Sequence, residues 1–408
     1  MKTVVASRTV RSADASVGLI GGVVRGIAVT AAALWARGGP AAVTFGAVAE
    51  ESHLAKSLIS HHFAKRELLV EQAAEVLVED MERTLDRLAG QLASAPAELT
   101  SPVEVVALVI DVLTRSSPGI GAAVLELISL ALAAPFYRDL FLRVAAKIGG
   151  MLPAMASGSD QTFLLAFVLG ELLAHCPRHA GAVGLLGLQR RISWFVETAP
   201  GGEQAWLTRL LSVIHRPAEA ALGAERPSPP LEPKSAGRGA AAKRAAIVGA
   251  TLDMLAEGDA AGVTHRRIAE RAGLPLAATT YHFASKQEIL EAAYQQIIAV
   301  ALAEAQRISD DGAGKGEPAL ERIIAGMLDF YASRGRRNAI AQFHLALFAC
   351  RTENLAGFAS RAHDAEVELL RARARASGVM MTRNLAEAVT SVVGGVLLLR
   401  MLGEDDPS

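Results

Sequence analysis

Ten histidines and two cysteines are the residues most able to bind a metal or act as nucleophiles, and their spacing suits neither task. His61 and His62 are adjacent, and adjacent side chains on a helix diverge by about 100°. No cysteine or carboxylate stands at ligand spacing from them. Cys176 and Cys350 lie far apart in apolar surroundings and imply no disulfide framework, which points to a reducing, cytoplasmic compartment. There is no glycine-rich phosphate loop, no nucleophile elbow and no His/Glu metal pattern on a helix, so nothing in the chain calls for catalysis or a cofactor. What remains are two stretches, Thr44–Arg66 and Thr264–Lys286, rich in hydroxyl and basic groups of the kind that bond phosphates and base edges. A net charge of −1 argues against non-specific coating of nucleic acid but leaves room for a local basic face.

The elements that must position these stretches are helical. Hydrophobic residues make up 51% of the 408 positions and aromatics only 5%, with Ala and Leu dominant and little Val/Ile/Thr alternation, so the expected class is all-α. The length allows two or three domains with cores of their own. Three apolar runs invite a membrane reading: Ile120–Tyr137, Thr162–His175 and Val389–Leu399. Glu126 and Glu171 interrupt the first two, and Glu387 and Arg400 flank the third, so buried core helices are expected and no membrane partner.

The chain repeats itself without a gap at a spacing of 220 residues. Ile27 falls on Ile247, Val43-Thr44 on Val263-Thr264, Ala49-Glu50 on Ala269-Glu270, Leu54 on Leu274, and His62-Phe63-Ala64 on His282-Phe283-Ala284. Between the copies, 216–242 contains Arg226-Pro-Ser-Pro-Pro-Leu-Glu-Pro-Lys234, whose prolines block helix continuation and favour an extended linker.

In the second copy, Lys243–Glu257 has helical apolar spacing and Gly258 stops it. Thr264 stands at an N-cap position before a short helix, Arg267–Ala272. Gly273 suits the left-handed turn between two crossed helices, and Pro275 opens the next, which runs to about Phe283. Ser285 and Glu288 then form a capping box for a fourth helix. Three short helices, the last two joined by a Gly turn, make a helix-turn-helix head whose third helix faces the major groove.

Thr264-His-Arg-Arg-Ile-Ala-Glu-Arg-Ala-Gly-Leu-Pro-Leu-Ala-Ala-Thr-Thr-Tyr-His-Phe-Ala-Ser-Lys286 resembles the N-terminal signature of the TetR family of repressors. The signature covers about 45 residues of each half. The resemblance implies a helical ligand-binding and dimerisation domain behind each head, and release from the operator when a small molecule binds. The first copy departs from the pattern: His53 replaces the turn Gly, Lys65 takes the place of Ser285, and Arg66 that of Lys286. A non-Gly residue in a left-handed turn costs on the order of 1 kcal/mol, so a degenerate first head is expected, either weaker or reading a different sequence. In the second copy Thr279 stands where the family has a core Leu, and Thr280 where it has a phosphate-contacting Tyr, a contact Tyr281 can take over.

The expected DNA-facing residues of the second head are Leu276, Ala278, Thr280, Tyr281 and His282, with Thr264, Arg266, Arg267 and Lys286 as phosphate contacts. Small apolar groups such as Leu276 and Ala277 touch thymine methyls or are simply a helix start; His282 is a packing or phosphate residue. In the first head they are Thr44, Lys56, Ser57, Ser60, His61 and Arg66, with Lys56 on a phosphate or on guanine. Basic residues ahead of each head, Arg8 and Arg11, and Lys234, Arg238, Lys243 and Arg244, are arms or solubilising linkers. Phe330, Tyr331, Phe343, His344 and Phe348 cluster at helical spacing as core or as the wall of a pocket for a small apolar effector, with His344 its polar anchor. No comparable polar set is evident in the apolar helices of the first half.

The expected organisation is therefore two tandem TetR-like units. A head at 1–70 precedes a body at 71–215, the linker spans 216–242, and a second head at 243–294 precedes a body at 295–408. The expected function is a ligand-responsive repressor on double-stranded DNA. It works as an intramolecular pseudo-dimer on an asymmetric operator, pairing Leu185–Phe195 or Ala205–Ile214 with Asn384–Met401. The alternatives are a homodimer reading a symmetric site through the second head alone, and a helical ligand- or protein-binding module with no operator.

Overall fold

The computed structural model describes residues 5–96, 100–116, 119–152, 161–178, 183–196, 238–259, 262–311, 319–376 and 380–402. Among these residues the fold is all-helical, without a strand. The first half supplies α1 (Val5–Gly38), α2 (Phe45–Ser52), α3 (Lys56–His62), α4 (Arg66–Ser94), α5 (Pro102–Asp111), α6 (Ile120–Ala131), α7 (Pro135–Met151), α8 (Gln161–His175) and α9 (Val183–Val196). The second supplies α10 (Arg238–Ala256), α11 (His265–Ala272), α12 (Leu276–His282), α13 (Lys286–Asp311), α14 (Ala319–Ala332), α15 (Arg336–Cys350), α16 (Ala356–Ala376) and α17 (Arg383–Met401).

The segments ahead of both heads differ from those expected, and the short helix expected at Arg267–Ala272 begins at His265. Helix α10 begins at Arg238, so residues 238–242, assigned above to the linker, are its first turns. The run Ala240-Ala-Ala242 explains this, because Ala has the highest helix propensity and offsets the single Gly239. Arg8 and Arg11 fall inside α1 rather than in an extended arm; their side chains, Lys234 and Ala205–Ile214 lie outside the described residues.

By packing, the chain divides into one unit of Met1–Ala93 with Pro118–Lys147, and another of Ser94–Ser117 with Ile148–Ser408. Division by packing thus differs from division by repeat: α5, α8 and α9 of the first half belong to the second unit.

In the first unit Ile27, Ala31 and Trp35 of α1 are fully buried, as are Val48, Ile59 and Leu69 on α2, α3 and α4. The Trp35 indole N–H donates to Glu126 Oε2 at 2.8 Å, tying the end of α1 to α6 inside the core. Arg143 on α7 bridges Glu75 (2.8 Å) and Glu82 (2.6 Å), which stand about two helical turns apart on α4. The Tyr137 hydroxyl, desolvated and close to Glu71, is pushed up to about 12 and stays protonated.

In the second unit one apolar core runs from the head into the body. It joins Ile247 and Leu255 of α10, Ile268, Phe283, Ile289 and Tyr294 to Ala341, Leu345 and Phe358 on α15 and α16. The Nδ1 of His344 on α15 donates to the Leu255 carbonyl at 2.6 Å, a polar tie between head and body. Helix α17 packs chiefly on α8, and also on α9, α14 and α16. Arg383–Met401 is long and apolar enough to cross a membrane, more than its run Val389–Leu399 suggested, but 61% of its most apolar window is buried among these helices.

The α8–α17 packing is close. A Cβ at Gly170 would land on the Ser391 carbonyl, and a Cβ at Gly395 on the Ala166 carbonyl, so only glycine permits the contact at either point. Beside it sits a buried polar group that apolar patterning did not reveal. Arg191 of α9 donates to both Glu171 oxygens (3.1 and 2.8 Å) and to Glu387 of α17 (3.0 Å), while the Ser391 hydroxyl donates to Glu171 at 2.7 Å. His175 Nε2 lies 2.9 Å from Glu171. Burial pushes the Glu171 carboxyl up, but Arg191 and His175 outweigh it and hold the acid well below the usual carboxylate range. The Cys176 thiol nearby is pushed up to about 12 by burial, so it is inert at neutral pH.

Candidate nucleic-acid interface

Each head is set by one cap and one turn. Thr44 and Thr264 take extended backbone and their hydroxyls accept the N–H of Ala47 (3.1 Å) and Arg267 (3.3 Å), starting α2 and α11. The turns that follow are left-handed in both: His53 at φ 56°, ψ 28° and Gly273 at φ 64°, ψ 31°. His53 is the one non-Gly residue with positive φ among the described residues. The first head therefore keeps the turn despite losing its glycine, and carries the strain. The burial of residues 50–70 and 270–290 is the same position by position, so α3 and α12 present equivalent faces.

On α12, Leu276, Ala277, Thr280 and Tyr281 are exposed, Tyr281 to 84%, while Ala278 and His282 are half-buried. Thr280 returns its hydroxyl to the Ala277 carbonyl (3.2 Å). Thr279 is fully buried, as a core Leu would be, and satisfies its hydroxyl on the Leu276 carbonyl at 2.8 Å. The His282 carbonyl accepts from Arg244 (3.1 Å), whose guanidinium also lies 4.2 Å over the Phe283 ring, so Arg244 is folded onto the head and is no arm. On α3, Lys56, Ser57, Ser60 and His61 are all exposed, giving a more polar face with one positive charge.

The flanking cations are less uniform than their spacing suggests. Arg266 pairs with Glu270 (3.1 Å) and Arg267 with Asp259 (2.5 Å). The Arg266 pair is 82% and 63% exposed, a kind worth little in water, so its guanidinium can be turned to a phosphate at small cost. Arg66 donates to the carbonyls of Val43 (2.8 Å) and Pro40 (2.6 Å), clamping the entry to α2. Its counterpart Lys286 lies 4.2 Å over the Phe348 ring, and burial lowers its pKa. Ser285 caps α13 through the Glu288 N–H (3.2 Å), while the Glu288 carboxylate accepts from Ala284 (2.9 Å), one residue earlier than a standard capping box.

A cavity of about 280 Å³ lies in the second unit, between α13, α14, α15, α16, α17 and a wall of α8. Of the five residues expected there, Tyr331 and Phe343 line it. His344 turns instead to Leu255, Phe348 sits under Lys286, and Phe330 packs on Gly335. Its polar groups come from residues not singled out by sequence: Glu366 accepts from the Tyr294 hydroxyl (2.9 Å) and the Gln342 amide (2.5 Å). Burial, reinforced by Glu366, raises the Tyr294 and Tyr331 hydroxyls, which stay protonated.

Two helix-turn-helix heads with the same cap, turn and burial, each joined to helical bodies, define a DNA-binding transcriptional regulator. The family model described as bacterial regulatory proteins, tetR family, matches the chain twice, over residues 27–73 and 247–293. The chain carries two tandem TetR-type helix-turn-helix heads. No curated protein matches it.

Proposed function

We propose that the chain is an effector-responsive repressor that reads an asymmetric operator as a single-chain pseudo-dimer. The observation that carries this reading is the packing of α8 on α17. The repeat spacing that aligns the heads also brings Thr162 onto Thr382 and Leu165-Ala166 onto Leu385-Ala386, so the two are the same helix of successive units. Two units sharing one seam need no second chain, and fusion makes the arrival of the second head intramolecular. The retained geometry of the first head supports reading by both heads, and their different faces, Lys56-Ser57-Ser60 against Leu276-Ala277-Thr280, support unlike half-sites. The 280 Å³ cavity suits a small apolar effector held by a few hydrogen bonds near Glu366.

The test is the mass of the complex in solution with a duplex selected from random sequence. One chain per duplex and two unlike half-sites is the expected result. Two chains on a palindrome would transfer reading to the second head alone, and no selected motif at any salt concentration would remove the repressor assignment.

A further inference from the structure

We propose that the cavity of the second unit takes a small apolar molecule carrying a positive charge, a protonated or quaternary amine, with Glu366 as its counter-charge. This deepens the effector-responsive reading above and rests on it. Glu366 of α16 lines the cavity, and its Oε1 accepts from the Tyr294 hydroxyl at 2.9 Å and from the Gln342 amide at 2.5 Å. Both donors are neutral. They aim the carboxylate without cancelling its charge, and a charge held among apolar walls favours a ligand of opposite sign.

The rings around the acid select the same ligand. Tyr294, Tyr331, Phe343 and Phe358 all line the cavity, and Tyr294 meets Phe358 edge to face with centroids 5.3 Å apart. Glu366 lies close enough to both phenols to help hold them protonated, so neither brings a second negative charge. Aromatic faces are electron-rich and attract an ammonium or its N-methyl groups, the more strongly where water is excluded. Aliphatic walls hold an amine and a neutral molecule of the same shape alike; an acid beside aromatic faces tells them apart. The volume of about 280 Å³ is at the low end for small-molecule sites and keeps the ligand small.

Two other ionisable side chains with nitrogen line the cavity, His363 and Arg373. Arg373 stands seven positions beyond Glu366, about 10 Å along α16. Its guanidinium donates to Gln306 Oε1 at 2.7 Å and to the Leu302 carbonyl at 3.4 Å, both on α13. Tyr294 precedes Leu302 on that helix by eight positions, about 12 Å, so the acid and the guanidinium stand at different ends of the site. An anionic ligand would have to use the Arg373 end and keep clear of Glu366. His363, one turn before Glu366 and buried, serves an amine in its neutral form, in which one ring nitrogen accepts a hydrogen bond.

The experiment is equilibrium dialysis of the full chain against three probes of similar shape: phenylbutylammonium, phenylbutanol and phenylbutanoate. The ammonium should bind on the order of tenfold tighter than the alcohol, with the carboxylate weakest. Glu366→Gln keeps an oxygen for Tyr294 and Gln342; it should weaken the ammonium on the order of tenfold and move the alcohol by less than about twofold. Tighter binding of the alcohol or the carboxylate, or no binding of the ammonium at millimolar concentration, would overturn the proposal. So would an unchanged ammonium affinity in Glu366→Gln. The comparison of probes on the wild-type chain needs no variant, so it decides the matter if far-UV circular dichroism shows that the substitution costs the fold. Adding the probes to the chain on its selected duplex separates the two readings. Ammonium binding without release keeps the charged site and retires the effector response. Release by the alcohol or the carboxylate, with no ammonium binding, keeps the effector response and retires the charged site.

Discussion

Trp35 donates its indole N–H to Glu126 at 2.8 Å, and at Leu255, the counterpart of Trp35, a buried bond again joins the first head helix to the body behind it. There the direction is reversed, with His344 donating to the Leu255 carbonyl. Each half keeps a polar tie at the same place, built from different groups.

Replacing Trp35 by Phe keeps most of the packing and removes the donor to a carboxylate that is only 6% exposed. A hydrogen bond to a charged group is worth about 1.5–3 kcal/mol, and the first unit should lose that much. Urea unfolding followed by a probe on α1 measures it; a loss below about 0.5 kcal/mol would mean that the tie is not structural.

The second tie makes stability fall on the acid side. Burial, partly offset by the Leu255 carbonyl, holds His344 below its usual 6.5, so the folded imidazole stays neutral where the unfolded one takes a proton. The unfolded chain then binds more protons as pH drops through about 6.5, and stability is lost in that direction. Melting temperature should fall further from about pH 7.5 to about pH 5.5 in the wild type than in His344→Asn, which keeps a donor and does not titrate. Equal slopes would remove His344 from the pH response.

Local signals made the heads legible. Thr44, Thr264, Gly273 and the pair Ser285 and Glu288 act within four residues of themselves, so spacing alone places the caps and the turn. The seam was illegible for the opposite reason. Gly170 in Leu-Gly-Glu-Leu-Leu looks like any residue of a core helix, and its need for glycine comes from Ser391, far along the chain. Glu171 reads as an interruption of an apolar run until Arg191 is brought to it. In the cavity, an aromatic stripe found Tyr331 and Phe343, whereas Tyr294, Gln342 and Glu366 stand on three different helices and share no period.

His53 stores strain that glycine would release. His53→Gly should stabilise the first head by about 1 kcal/mol, and Gly273→Ala should destabilise the second by a similar amount. Amide hydrogen exchange across Phe45–His62 should slow in the first variant, and exchange across His265–His282 should quicken in the second. Opposite signs are the point; a loss of protection in His53→Gly would show that the histidine makes a contact worth more than its strain.

Arg191 is 5% exposed and pairs with Glu171, itself 1% exposed. Arg191→Met strands a buried carboxylate and should cost about 3–5 kcal/mol, whereas adding Glu171→Leu should recover most of it. Additive losses in the double variant would mean that the two residues do not act as a pair.

Arg266 is proposed to set register on phosphates without reading bases. Arg266→Ala should weaken binding to all duplexes by a similar factor and lower the slope of log affinity against log salt by about 1. A change of preferred sequence with an unchanged slope would assign it to base contacts instead.

The lysine on α3 and its absence from α12 have a consequence for orientation. A symmetric dimer turned end for end on its site is the same complex, so it has no front. On the proposed single-chain reading, a chain that grips one half-site with Lys56-Ser57-Ser60 and the other with Leu276-Ala277-Thr280 has a left and a right. Bound through both, such a chain would lie on the duplex in a single polarity, and the sequence of the site would decide which body faces a neighbouring promoter.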